Sequence, residues 1–76
     1  MKKRIKLSAI NDVIDFVKQI AKLPCDIDAH YGRYIIDAKS ILGLIDISSH
    51  EIEVEIRSED TDLINKFASI CKPYEV

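Results

Sequence analysis

Few side chains in this sequence are placed to do chemistry. Asp26, Asp28 and His30 occupy alternate positions in CDIDAHY, so in an extended strand they share one face. Two carboxylates and an imidazole could ligate a cation. Same-face neighbours on a strand stand about 7 Å apart, however, and a face open to water leaves them as solvated polar groups. We therefore expect no metal and no cofactor. Cys25 and Cys71 lie far apart, without the CxxC spacing of zinc or redox motifs, and read as reduced core thiols. His50 precedes the last strand with no cysteine or carboxylate partner in view and reads as a surface residue. Ser40 sits in DAKSILGLI, where a polar stretch gives way to an apolar one. A serine there caps a helix, and a phosphate on the same oxygen would be favoured by the helix N-terminus and by Lys39. No glycine-rich phosphate loop, no nucleophile with a base at telling spacing and no catalytic carboxylate pair is present, so enzymatic activity is not expected.

The elements that must position these residues follow from the hydrophobic period. KRIKL alternates, with Ile5 and Leu7 on one side and Arg4 and Lys6 on the other, which predicts a short strand. From Ile10 the period becomes helical: Ile10, Val13, Ile14, Val17, Ile20 and Ala21 form a stripe, with Ser8 or Asn11 as the cap and Pro24 as the stop. Cys25, Ile27 and Ala29 alternate with Asp26, Asp28 and His30, and RYIIDA returns after a turn at Gly32, so residues 25–38 form a hairpin. A short apolar helix follows Ser40. EIEVEIR places Ile52, Val54 and Ile56 inward, and DTDLINKFASICKP sets Leu63, Ile64, Phe67, Ala68 and Cys71 at helical spacing with Pro73 as the stop. The order is βαββαβα. Strands with one apolar face and helices with one apolar stripe predict an α+β fold, an antiparallel four-stranded sheet with helices on one face and water on the other. On the wet face Arg4 and Lys6 are expected opposite Glu53 and Glu55.

Length and composition agree with one domain over residues 1–76. Of the residues, 47% are hydrophobic and 32% charged, with two glycines and two prolines, the profile of a chain that folds alone. A net charge of −2 argues against a nucleic-acid partner. No apolar run spans a bilayer and MKKRIKLSAIND turns polar too early for a signal peptide, so no membrane partner and a cytoplasmic location are expected.

The order of elements together with DAKSILGL resembles the HPr family, the small phosphocarrier proteins of the bacterial sugar phosphotransferase system. The likeness covers essentially the whole chain and is closest over GRYIIDAKSILGLIDI, Gly32 to Ile47. It implies an open-faced β-sandwich, with four antiparallel strands under three helices. In that family a histidine at the start of the first helix, in a Gly-Leu-His-Ala-Arg-Pro-like setting, carries phosphate from enzyme I to sugar permeases. Counting back from the serine motif without a gap places Ala9 at the histidine, Asn11 at the arginine and Asp12 at the proline. The resemblance therefore implies a histidine-free member in which the carrier site is lost. Its second site is a regulatory serine, phosphorylated by HPr kinase and read by a transcriptional regulator, and Ser40 matches it. The same resemblance makes the outward residues of the short helix, Ile41, Leu42 and Ile45 beside Lys39, the partner-binding patch. The expected function is thus a non-catalytic regulatory or protein-interaction module. A phosphocarrier, or a domain that self-associates through the same apolar patch, are the alternatives.

Overall fold

The computed structural model describes all residues 1–76. Its elements are β1 (Lys2–Lys6), α1 (Ile10–Ile20), β2 (Ile27–Tyr31), β3 (Tyr34–Asp37), α2 (Ile41–Ile47), β4 (Glu51–Ile56) and α3 (Thr61–Cys71), followed by a 3-10 turn over Lys72–Tyr74. The strands form one antiparallel sheet in the order β1-β4-β2-β3. The predicted α+β architecture is the observed one.

Alternation decides which face each strand buries. Ile5, Ile27, Ala29, Ile52, Val54 and Ile56 are buried under the helices, while Arg4, Asp28, His30, Glu53 and Glu55 project from the other face. The buried cluster contains no polar or charged residue, so the polar groups it must satisfy are those of the backbone. Between β1 and β4 the register sets Arg4 opposite Glu53, as expected, but Lys6 faces Glu51 and Glu55 faces Lys2. The strands run in opposite directions, so each step forward on β1 is a step back on β4. Once Arg4 meets Glu53, Lys6 cannot meet Glu55.

Two details of α1 differ from the sequence expectation. Its buried stripe is Val13, Phe16, Val17 and Ile20, whereas Ile10 and Ala21 are exposed and Ile14 is half-buried. The stripe is set by the i, i+3, i+4, i+7 spacing from Val13, and the Phe16 ring fills its centre, packed edge-on against Tyr74 with ring centroids 5.7 Å apart. Neither Ser8 nor Asn11 caps the helix. Ala9 occupies the cap position, and its carbonyl accepts from the amides of Asp12 at 3.0 Å and Val13 at 3.2 Å.

The β2–β3 turn uses Gly32 with φ +57° at the first of its two central positions and Arg33 at the second, the φ pattern of a type II′ hairpin. α3 starts on the Asp60 carboxylate, which accepts from the amides of Asp62 at 2.9 Å and Leu63 at 3.3 Å. α3 ends at Cys71, ahead of Pro73 as expected, and a single 3-10 turn follows, in which the proline has no amide bond to forfeit. That extra turn is what delivers Tyr74 to Phe16. The residues after it run along β1: Ile5 bridges Glu75, the Val76 amide donates to the Arg4 carbonyl at 3.2 Å, and Lys3 pairs with Glu75 at 3.4 Å.

Candidate functional site

The approach to α2 is fixed by backbone bonds on both sides. The Ala38 amide donates to the Ile27 carbonyl at 2.9 Å, ending the β2–β3 ladder, and the Ser40 amide donates to the Asp37 carbonyl at 3.0 Å. The Asp37 carboxylate accepts from the Lys39 amide at 2.9 Å. Ser40 then takes the cap position in extended backbone, and its hydroxyl oxygen accepts from the Gly43 amide at 3.2 Å. Glycine at position 43 has a steric reason: a Cβ there would lie 3.1 Å from Ile36 Cδ1 and 3.3 Å from Ser40 Oγ. A methyl at this position would press on the Ile36 side chain and the capping hydroxyl, which would have to give by a few tenths of an ångström.

Ser40→Ala should therefore lower stability by about 1 kcal/mol without changing the fold. Equilibrium urea unfolding checks this, and a loss below a few tenths of a kcal/mol would mean the cap bond contributes nothing.

Around the cap, Leu44 and Ile47 enter the core, while Ile41 is 40% and Leu42 78% exposed and Ile45 is half-buried. The helix thus divides its apolar residues between two sides. Lys39 does not stand free beside Ser40: its ammonium donates to the Leu23 carbonyl at 2.6 Å. That carbonyl lies just beyond the C-terminus of α1, where a cation is favoured by the helix dipole, so Lys39 fastens the end of α1 to the start of α2.

The other candidates are dispersed. Asp28 and His30 sit on the open sheet face, where Arg57 Nε donates to Asp28 Oδ2 at 2.9 Å and His30 Nε2 lies 3.3 Å from Glu55 Oε1. The Asp28 hydrogen bond, followed by the charges of Glu55 and Asp28, raises the Arg57 guanidinium pKa further. No group of three or more His, Cys, Asp or Glu side chains is arranged to hold a metal ion. Cys25 is half-buried, Cys71 is fully buried, and both thiols are free.

His50 is not isolated, since its ring stacks on Tyr31 with centroids 4.7 Å apart and planes 27° from parallel. The sequence gives no local signal for that pair, because β2 and β4 must be neighbours before it can form. The Ser49 amide donates to the Leu7 carbonyl at 2.9 Å, which brings His50 to the end of the sheet where β1 leads into α1 and Ala9.

No helix is long and apolar enough to cross a membrane. No family model matches the chain, and no curated protein matches it. Among solved structures it is similar to that of HPr-C-His from Thermoanaerobacter tengcongensis, with a TM-score of 0.73 and 14% sequence identity over 95% of this chain and 91% of that one. The sheet order, the three helices over one face and this superposition together establish that the chain has the HPr fold.

Proposed function

We propose that this protein is an HPr-like regulatory module without phosphocarrier activity, acting in the cytoplasm and addressed by phosphorylation of Ser40. The observation that carries the reading is α2, where a capping serine adjoins Ile41 and Leu42, two apolar residues that the fold leaves in water. A phosphate on Ser40 would sit at the first turn of α2, where the Gly43 amide already donates to the Ser40 oxygen, and would gain charge-assisted hydrogen bonds there. Lys39 would add a counter-charge by exchanging the Leu23 carbonyl for the phosphate. HPr kinase is the enzyme this reading names, and a protein such as a transcriptional regulator is the reader, docking on Lys39, Ile41, Leu42 and Ile45. Counting back from Ser40 without a gap assigns the carrier-histidine position to Ala9, whose methyl has no atom to accept a phosphoryl group.

Incubation with active HPr kinase and ATP should place one phosphate on the wild type, located to Ser40 by mass spectrometry, and none on Ser40→Ala. Leu42→Asp should leave the phosphorylation intact and abolish binding of the regulator. Absence of phosphate while a genuine HPr is phosphorylated in the same reaction would sink the proposal. So would transfer of label from phosphoenolpyruvate and enzyme I to His30 or His50, which would make the protein a carrier instead.

A further inference from the structure

The two edges of the sheet are finished differently. The outer edge of β1 is occupied by Glu75 and Val76, whereas nothing in the chain pairs with the outer edge of β3. The Ala38 bond to Ile27 fixes the parity of the β2–β3 ladder, so Tyr34 and Ile36 turn their backbone groups toward β2 and Ile35 turns both of its own outward. This open edge includes no lysine, no proline and no bulge over residues 33–37, and its protection is limited to the shortness of the strand and the charges of Arg33 and Asp37 at its ends. It is also apolar: Tyr34 is 68% and Ile35 63% exposed, and Ile35 is the one aliphatic side chain that the strands place on the otherwise charged open face.

The charges flanking Ile35 say what fits there. Arg33 makes no ion pair within the chain, and Asp37 has no cationic partner and stands opposite Asp28 on β2. A second β3 laid antiparallel about a two-fold axis at Ile35 brings Arg33 opposite the partner's Asp37 and Asp37 opposite the partner's Arg33. The two Ile35 residues then exchange backbone bonds, and Tyr34 lies over the partner's Ile36. There it meets the mouth of a groove of about 320 Å³ lined by Tyr31, Tyr34, Ile36, Gly43, Asp46 and Ile47.

We infer that the β3 edge is a self-complementary docking surface for a second copy of this chain, joining two four-stranded sheets into one of eight strands. The symmetry is isologous, so one surface supplies both sides of the contact. The strand is short and the area modest, which places the dimer among weak, concentration-dependent ones. This surface is separate from the Leu42 patch of α2, and the inference does not rest on phosphorylation of Ser40.

Sedimentation equilibrium from micromolar to millimolar protein should show the average mass rising from monomer toward dimer. Arg33→Asp sets two like-charge pairs across the axis and should weaken the dimer about tenfold or more, and adding Asp37→Arg should restore it. In a Cys25→Ser background, Ile35→Cys should form an intermolecular disulfide on mild oxidation, because the paired Cα atoms would lie about 5.5 Å apart. Circular dichroism checks that each variant is folded. A protein that stays monomeric at millimolar concentration overturns the inference. So does a dimer abolished by Leu42→Asp but indifferent to Arg33→Asp, or a folded Ile35→Cys variant that does not cross-link.

Discussion

Phe16→Ala should remove a large share of the stability of this domain. The Phe16 side chain is completely buried at the centre of the α1 stripe and meets Tyr74 edge-on. Deleting a buried phenyl ring forfeits its transfer free energy and leaves a cavity that its neighbours only partly close, at a cost of about 3–5 kcal/mol. A domain of this length commands roughly 4–11 kcal/mol in total, so the variant should be marginal at 25 °C and unfolded at 37 °C if the wild type lies near the lower end. Phe16→Leu retains much of the volume and should lose far less. Urea unfolding followed by far-UV circular dichroism measures both. A Phe16→Ala loss under about 1 kcal/mol would mean that the ring is not a core element.

Cys71 should behave as two different thiols in the folded and unfolded chain. Burial, reinforced by the charge of Glu75 and opposed by Lys3, pushes its pKa up to about 12 from an ordinary 9.0. The thiolate is the reactive form, so at pH 8 the folded thiol should react about a thousandfold more slowly than a free one, before any steric protection. Native protein should then take up one equivalent of a thiol reagent, at Cys25, and a second only in urea. The same shift couples to stability. The unfolded thiol loses its proton near pH 9 while the folded one holds it to about 12, so the folded state binds more protons in that window. This contribution is fully present below pH 9 and is lost as pH rises toward 12, up to a few kcal/mol in all. Urea midpoints of wild type and Cys71→Ala between pH 7 and 10 isolate the effect: the wild type should fall away faster at alkaline pH. Coincident slopes would refute the assignment.

The strands were legible in the sequence because their information is local. Glu51 to Ile56 alternates without interruption, and each side chain's face follows from its parity alone. The start of α1 was not, because Ser8 and Asn11 have capping side chains, yet the backbone geometry puts Ala9 at the cap and leaves Ile10 in water. The spacing of Phe16 to Val13, Val17 and Ile20 is local to α1, but its edge-on contact with Tyr74, far away along the chain, could not be read from α1 by itself. For the candidate site, the capping role of Ser40 was evident from the change in hydropathy at that residue. The engagement of Lys39 with Leu23 was not, since it needs the end of α1 and the start of α2 to meet. The stacking of His50 on Tyr31 and the exposed apolar edge of β3 were hidden for the same reason: both depend on which strands are neighbours and which strand is last.

Glu75 and Val76 have a consequence for stoichiometry. With Glu75 and Val76 covering the middle of the β1 border, the pairing proposed at β3 would lengthen the sheet once and leave a covered strand at each end. Remove those two residues and each molecule presents two bare borders, so every addition regenerates a site for the next. Under the pairing proposed for β3, Glu75 and Val76 would thus separate a species that stops at a pair from one that polymerises.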